Sequence, residues 1–570
     1  MIARRAVVAL LLALGLGITG LFSGAAPAFA HAVLVGSDPG YGAMVEHSPA
    51  RVSITFDEPV TAAQNAVTVT DRDGARADGG ATESSDGGRT IVVPLRSGLA
   101  DGTYLLGWSL LSADGHVVAG SIVFGIGVPP DLTVTDAPPD PLIAALEAVV
   151  RLLTALGYAG IALAVGIPLA ARLVWPNAAR ERAIAQLVRL GATTTVVTAL
   201  ATFAVLPGRL GGAAGWGERG VWIQSATSLV GAALLARAVG ASALAYFATA
   251  PGVLAGWAER SYRQVPQSSH VAPARVSAAA ALAGGGIVVL STAASGHAVA
   301  GEYRWAAVTS GVLHVIAMAL WVGGVALVGL AWRTSRRAEV VARFGSVAAG
   351  AVAVLVVSGV FQSWRAVSPV EALWHTSWGL LLLVKIALVA IAVGTALVVR
   401  WIAVSGPDTG SARRFRWWGS ARAGSGPRAV RFELGAQVAV LVVTALLTGV
   451  APARDTYDPA VRLDAVVGPL RAEVDVDGAH AGRQEFTVRL RDSAGTAVDA
   501  LEVTGRLERV GDAAGPVEVV FRRVEPVELG PDHFVSRPVR VPLAGEWRLR
   551  LTVVADRTNA YAATVPYRVW

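Results

Sequence analysis

The sequence predicts a mixed multidomain protein with an exported all-β domain, an α-helical membrane domain of about eight spans, and a second all-β domain at the C-terminus. Residues 1–30 have the pattern of a signal peptide, the middle of the 570-residue chain carries successive apolar stretches, and both flanks carry short strand-like runs. A hydrophobic content of 54% is also too high for an ordinary soluble protein.

The signal peptide defines the start of the mature chain. Arg4 and Arg5 precede an apolar run, and residues 28–30 (AFA) form the small-residue pattern that signal peptidase cleaves. Cleavage leaves His31 as the first residue, so that its free α-amine and its imidazole can chelate one metal ion. A histidine that follows the cleavage site by chance is the alternative.

A second group of ligands lies further along the exported domain. Residues 112–116 (SADGH) supply the carboxylate of Asp114 and the imidazole of His116. Together with His31 they offer three nitrogens and an oxygen, which suit the tetragonal coordination of Cu(II). The chain contains no cysteine, so thiolate metal sites and disulfides are excluded.

Residues 31–127 have the pattern of an exported β domain. Runs of strand character separated by Gly, Asp and Ser clusters predict a sandwich or a Greek-key barrel. These runs are 51–56, 66–70, 90–95, 103–111 and 117–126. Residues 128–141, rich in Pro and Asp, are expected to form a stiff polar linker to the next domain.

Residues 142–453 predict a membrane domain, because eight apolar stretches of spanning length follow one another. The fourth stretch is the weakest, being short and rich in glycine. The stretches centre on Ala162, Val197, Ala233, Gly286, Leu320, Val354, Leu388 and Val442.

The distribution of basic residues predicts the orientation of these spans. With His31 outside, the loops and span ends assigned to the cytoplasm hold eighteen arginines, and the opposite loops hold only four. Eight spans would return the C-terminus to the outside. We therefore interpret the net charge of +7 as a topology signal rather than as a nucleic-acid-binding surface.

A faint internal repeat occurs within the membrane domain. Residues 156–175 align without gaps on residues 313–332 with seven identities, and residues 231–237 parallel residues 379–385. Similar apolar composition alone yields several such identities. If the repeat is genuine, it implies two related helical units, as in many transporters.

Four residues are candidates for a copper route through the membrane. His297 and His375 are predicted at the outer ends of spans four and seven, and His314 lies one to two turns into span five, where an ionisable group suggests function. Met318 and Trp321 share one helix face with His314, and a thioether with an imidazole suits Cu(I). Structural histidines that bind a neighbouring helix are the alternative.

Two basic residues, Arg237 and the single lysine Lys385, are predicted in the middle of spans. A charge in this position needs a partner or a water-filled path. Glu433, near the inner end of span eight, is one carboxylate that can serve as the partner. A structural ion pair is the favoured interpretation, and a role in transport is the alternative.

Residues 457–570 return to strand-like runs and predict a second β sandwich outside the membrane. The predicted strands are 470–476, 484–491, 500–508, 517–523 and 546–554. The domain contains His480 and His533 but no clustered ligands, so no metal chemistry is expected there.

The N-terminal domain resembles the periplasmic copper-binding CopC family. The resemblance rests on residues 31–34 (HAVL), 37–40 (SDPG), 52–60 (VSITFDEPV), 112–116 (SADGH) and 120–125 (GSIVFG). It implies a cupredoxin-like Greek-key barrel with one Cu(II) site, carried over onto His31, Asp114 and His116. CopC proteins that also bind Cu(I) use a Met-rich segment, and this domain contains only Met44.

The other two domains also resemble known families. Residues 142–453 resemble the CopD copper-resistance membrane proteins through 313–314 (LH), 321–324 (WVGG), 343–345 (RFG) and 431–433 (RFE). The C-terminal domain resembles YtkA-like β domains through residues 542–547 (PLAGEW).

The predicted function is copper binding and transport at the cell envelope, without catalysis. The exported domain would capture Cu(II) and the membrane domain would pass copper inward or to an acceptor protein, with copper ions, the lipid bilayer and copper-accepting proteins as partners. One alternative is a copper redox enzyme, because polysaccharide monooxygenases also carry an N-terminal histidine brace. Another is a haem or electron-transfer protein, which would pair His314 with His375 or His297.

Overall fold

The computed structural model describes residues 32, 34–56, 58–62, 66–112, 117–131, 141–176, 182–247, 271–295, 303–332, 334–404, 422–511, 515–523 and 533–570. The predicted signal peptide, most of the predicted linker, and His31, Asp114, His116 and His297 lie outside these ranges.

The N-terminal domain consists of two β-sheets. One has the strand order β1-β3-β7-β6, and the other has the order β2-β9-β8-β4 with β5 also paired to β8. All pairs are antiparallel except β2 with β9. The strands are β1 (Leu34–Asp38), β2 (Met44–Val45), β3 (Arg51–Phe56), β4 (Val60–Thr61), β5 (Val67–Asp71), β6 (Glu83–Ser85), β7 (Thr90–Pro94), β8 (Gly102–Ser112) and β9 (Val117–Ile126).

The two sheets enclose one core because their strands alternate between inward and outward side chains. Ile54 and Phe56 of β3 meet Leu106 of β8 and Phe124 of β9, and all four side chains are buried. The predicted all-β domain is confirmed. Strands β8 and β9 form a long hairpin whose last paired residues are Leu111 and Val117.

The helical domain alternates long helices with two short ones. A π-helical turn at Ala162–Gly166 interrupts the first helix, and a 3₁₀ turn at Gly212–Gly217 follows the second. The helices are α1 (Pro141–Val174), α2 (Arg182–Gly211), α3 (Arg219–Thr227), α4 (Leu229–Phe247), α5 (Val271–Ala293), α6 (Arg304–Ala331), α7 (Arg337–Ala366), α8 (Ala372–His375), α9 (Ser377–Val404) and α10 (Arg422–Leu447).

Seven helices in the described part of the chain are long and apolar enough to cross a membrane, namely α1, α2, α4, α6, α7, α9 and α10. The predicted fourth span corresponds to α5, in which Ala278–Ala293 forms a shorter apolar segment. The predicted membrane domain is therefore confirmed as a group of apolar helices, and its eight-span count stays a prediction.

The long helices pack as a closed ring. Neighbours run α4, α5, α6, α7, α9, α10, α1 and α2, and α2 packs again on α4. Helices α1 and α6 also contact each other directly, so α1 lies between α2 and α6.

The structure supports the internal repeat, because α1 and α6 contact each other reciprocally. A Cβ atom at Gly166 would overlap the carbonyl oxygen of Ala319, and one at Gly323 would lie 2.5 Å from the carbonyl oxygen of Ala162. Gly166 aligns with Gly323 in the repeat, and Ala162 aligns with Ala319. The glycine of each helix therefore faces the equivalent carbonyl group of the other, as a two-fold axis between the helices requires.

The second pair of repeat segments shares a helix break. The backbone N–H of Gly231 donates to Ser228 Oγ at 3.0 Å, and that of Gly379 donates to Thr376 Oγ1 at 3.1 Å. Each break separates a short helix, α3 or α8, from the long helix that follows. The bundle thus consists of two similar halves, α1–α5 and α6–α10. The corresponding helices of the two halves run in the same direction, as in parallel repeats.

The C-terminal domain is built from nine strands in a single curled sheet with the order β10-β11-β12-β15-β14-β13-β17-β18, and β16 pairs with β12. Strands β10 and β18 also contact each other, so the sheet nearly closes into a barrel around the buried Trp547. The predicted all-β domain is confirmed, with one near-barrel sheet in place of two facing sheets. The strands are β10 (Val461–Val467), β11 (Leu470–Asp477), β12 (Gly482–Arg491), β13 (Glu502–Arg509), β14 (Val517–Arg523), β15 (His533–Ser536), β16 (Val539–Val541), β17 (Gly545–Val554) and β18 (Ala560–Val569).

Candidate metal sites

The predicted Cu(II) ligands His31, Asp114 and His116 lie outside the described residues, whereas their chain neighbours Ser112 and Val117 are described. Ser112, the last residue of β8, is buried and donates a hydrogen bond from its hydroxyl to Glu58 Oε1. Glu58 is itself only 2% exposed.

Glu58 is a residue that the sequence reasoning missed. Its carboxylate lies at the hairpin end, where a hydrogen-bonded Ser112 precedes Asp114 by two residues. Burial of a carboxylate costs free energy unless it is hydrogen-bonded or lies near a positive charge. A carboxylate that is retained beside a metal-binding segment can orient the ligands of that segment. The signal in the sequence was the acidic pair at residues 57–58, directly after a strand of alternating polar and apolar residues.

One imidazole of the membrane domain, that of His314, forms a hydrogen bond to a neighbouring helix. It lies on α6, partly buried, and its Nδ1 atom is 2.8 Å from Oγ of Ser358 on α7. The Ser358 hydroxyl is also 2.6 Å from the carbonyl oxygen of Val354, to which it donates. Because a hydroxyl has one proton, Ser358 Oγ accepts from His314 Nδ1–H. The remaining nitrogen, Nε2, then carries the lone pair that a metal needs.

Met318 lies one helical turn further along α6 than His314, on the same face. It is partly buried, and Trp321 beyond it is 3% exposed. This arrangement gives an imidazole and a thioether about 6 Å apart along the helix axis, at ~1.5 Å rise per residue. The shared helix face that the sequence predicted is therefore present.

Lys385 lies close to this imidazole, and it forms no ion pair with any residue that the structure describes. It stands on α9, close enough to His314 for an electrostatic interaction. Counted along the helices from the end of the bundle next to the β domains, Lys385 lies at a depth of ~12 Å and His314 at ~15 Å, whereas Glu433 on α10 lies at ~21 Å.

The predicted ion pair with Glu433 is wrong. In the described part of the chain no salt bridge joins Lys385 or Arg237 to Glu433. Arg237 instead donates to the carbonyl oxygen of Ser291 at 3.0 Å and to Ser295 Oγ at 3.1 Å, both at the end of α5. The depth of Glu433 explains its separation from Lys385.

Of the two other candidate histidines, the structure describes only His375. His375 ends the short helix α8 and is exposed, and His297 is not among the described residues. Within the described ranges, no group of three or more His, Cys, Asp or Glu side chains could hold a metal ion. The structure therefore brings His314 to Ser358, and the shared site with His297 and His375 stays a prediction.

The C-terminal domain offers no open imidazole at His480. Its Nδ1 atom is 2.8 Å from the carbonyl oxygen of Ala481, and its Nε2 atom is 2.5 Å from that of Asp455. Both nitrogens thus face backbone oxygens, so His480 presents neither of them to a metal ion.

The structure combines an all-β domain with a bundle of apolar helices, one of which carries the imidazole of His314. This is the architecture of a membrane protein with groups that can bind a metal ion. Residues 34–127 match the family model for the CopC domain, and residues 338–447, which span α7 to α10, match that for Copper resistance protein D. The chain belongs to the CopC family and carries a CopC domain and a CopD domain in one polypeptide.

Individual relatives agree with this assignment. The chain is 24% identical over 543 residues to the Copper transport protein CutJ of Bacillus subtilis (strain 168), covering 92% of this chain and 93% of the relative. It is 36% identical over 108 residues to Copper resistance protein C of Xanthomonas campestris pv. juglandis, covering 18% of this chain and 84% of the relative.

A solved structure also matches the N-terminal domain. The crystal structure of CopC from Methylosinus trichosporium OB3b is 25% identical, with a TM-score of 0.16, and the match covers 18% of this chain and all of that chain. His314 and Met318 lie before the segment that matches the CopD family, whereas His375, Lys385 and Glu433 lie within it.

Proposed function

We propose that the protein captures Cu(II) outside the cell with an N-terminal histidine brace and passes copper to its membrane domain for import or delivery. The observation that carries this function is the similarity to a copper transport protein over 92% of the chain, which includes both β domains and the bundle. Copper is the cargo of this process, and no catalytic step is part of the proposal.

The brace consists of the α-amine and imidazole of His31, the imidazole of His116 and the carboxylate of Asp114. These ligands give the nitrogen-rich tetragonal field that Cu(II) prefers. Glu58 supports the site through its hydrogen bond with Ser112, the last residue of β8. One Cu(II) ion per chain is expected.

In the membrane, His314 Nε2 is the first acceptor and Met318 the second. Ser358 fixes the tautomer of His314, so the acceptor nitrogen is free before copper arrives. The thioether of Met318 is a softer ligand than an imidazole and accommodates Cu(I). His297 and His375 are proposed to extend this route at the outer membrane surface.

The proposed location is the plasma membrane, with eight spans and both β domains outside the cytoplasm. The signal peptide and the arginine asymmetry support this orientation. The N-terminal β domain and the segment that precedes the C-terminal domain pack on the same end of the bundle, which agrees with it. A reporter fused after Trp570 should therefore be active only if it is of a type that works outside the cytoplasm. Activity of a cytoplasmic reporter there would mean an odd number of spans.

The brace is tested on the full chain by moving the α-amine. A mature protein that begins at His31 should bind one Cu(II) ion with a tetragonal, nitrogen-rich electron paramagnetic resonance spectrum. An added residue before His31 should weaken binding severely, because the amine no longer chelates together with the imidazole. Equal affinity of the two forms would show that the amine is not a ligand.

A further inference from the structure

The N-terminal β domain touches the helical bundle through a small apolar cluster. The cluster consists of Leu111 from β8, Leu210 near the end of α2 and Val221 of α3, and is called the docking cluster below. Leu111 and Val221 are each 1% exposed, and Leu210 is 6% exposed. Val117, the first residue of β9, packs against the same cluster.

The orientation of Leu111 shows that the bundle, and not the β domain, buries it. Its neighbour Leu110 belongs to the core of the β domain, and successive side chains of a strand point to opposite faces. Leu111 is absent from that core and therefore points outward. An outward-facing leucine of an isolated β domain would be exposed to water.

Two further observations place the same domain over the end of the bundle. Arg89, just before β7, lines a cleft with residues 303–306 at the start of α6. Leu34 of β1 packs against the cores of both β domains. The N-terminal domain thus spans the end of the bundle from α2 and α3 to α6, with the C-terminal domain beside it.

The second half of the bundle contacts the segment that leads into the other β domain. Ala453, in a single helical turn before the C-terminal domain, packs with Ala372 of α8 and with Trp378 and Leu447. Helix α8 is the repeat equivalent of α3. The short helix of the first half therefore packs against the N-terminal β domain itself, and that of the second half packs against the segment that precedes the C-terminal domain.

We infer that the end of α2 and helix α3 form the receiving surface on which the N-terminal β domain docks to deliver copper within the same chain. Leu111 and Val117 flank residues 112–116, so the docking cluster lies within three residues of both Asp114 and His116 along the chain. The docked position fixes where copper is released. The identity of the cargo rests on the proposed function, whereas the docking itself does not.

The small size of the docking cluster suits a tethered partner. Three apolar side chains are far too few for two separate proteins to associate. The linker at residues 128–141 connects the domain to α1, so docking is intramolecular and proceeds at a high effective concentration. Loss of docking should then reduce delivery mainly when external copper is scarce.

The docked position can be tested by cross-linking, because the chain has no cysteine of its own. Leu111→Cys combined with Val221→Cys should form a disulfide efficiently in intact membranes under mild oxidation, because the two side chains pack in one cluster. The control pair is Met44→Cys with Val221→Cys, because Met44 is exposed on the same domain and outside the docking cluster. Cross-linking of the first pair no better than the control would overturn the inference.

Copper delivery at this surface is tested with two variants, Leu111→Asp and Val221→Asp. The first places a charge on the β-domain side of the docking cluster, and the second places one on the bundle side. Each should lower the initial copper uptake rate at low external copper at least fivefold, with an unchanged maximal rate at high copper. Val221→Asp leaves the β domain itself intact and should keep normal Cu(II) binding. Met44→Asp is the matched control.

The outcomes separate docking from the proposed function. Unchanged uptake at low copper in both aspartate variants would overturn delivery at this surface. Efficient cross-linking in a protein whose wild type moves no copper would leave docking standing and refute the proposed transport.

Discussion

Substitution of Ser358 by alanine tests how His314 is prepared for copper. The change removes the oxygen that accepts from His314 Nδ1–H at 2.8 Å, while the helix keeps its backbone. Such a hydrogen bond contributes about 0.5–1.5 kcal/mol, and loss of the partner that orients a metal-binding histidine lowers metal affinity about 10- to 100-fold. We expect the apparent affinity for copper in uptake to fall by about tenfold, whereas His314→Ala should abolish uptake.

The assay is the initial rate of copper uptake at several external copper concentrations, with equal amounts of inserted protein. Ser358→Thr keeps a hydroxyl and should restore uptake. Ser310→Ala is a suitable control, because the Ser310 hydroxyl is a long 3.4 Å from the carbonyl oxygen of Ser358. Normal uptake by Ser358→Ala together with loss in His314→Ala would refute the assignment of Nε2 as the preformed acceptor.

Three further predictions follow from buried contacts. Gly166→Leu and Gly323→Leu should each lower the thermal unfolding temperature in detergent, because overpacking at the crossing of α1 and α6 costs about 1–3 kcal/mol or more; Gly394→Ala, where no atom lies within 4 Å, should not. Glu58→Leu should weaken Cu(II) binding about 10- to 100-fold in a competition titration with a chelator, and an unchanged affinity would exclude a supporting role for Glu58. Trp547→Ala, at a fully buried position, should cost about 3–5 kcal/mol and make the C-terminal domain sensitive to protease; Cu(II) binding by the N-terminal domain should persist, and Val520→Ala at a 55% exposed position should change neither property.

Much of the architecture was predictable because hydrophobic periodicity and length decide the type of an element. The predicted runs 51–56, 117–126 and 517–523 coincide with β3, β9 and β14. The apolar stretches likewise became helices, since only a helix satisfies its backbone hydrogen bonds within one apolar segment. The curvature of the C-terminal sheet was not predictable, because it depends on which distant strands meet.

Pairing between charged residues was the weakest prediction from sequence. Lys385, Arg237 and Glu433 looked like partners because each was an isolated charge in an apolar span. Their depths and helix neighbours decide otherwise, and Arg237 is satisfied by oxygens at the end of α5. Sequence spacing gives the depth of a residue within its own helix, but not the rotation of that helix toward its neighbours.

By itself, the sequence determined the domain order, the apolar helices and the imidazole and thioether on one face of α6, because these follow from local periodicity. Only the tertiary structure decided that Ser358 bonds to His314, that Glu58 bonds to Ser112 at the end of β8, and that Leu111 packs on α2 and α3. Each of these contacts joins residues far apart in the chain. Their formation depends on how whole elements pack, which no local pattern of residues records.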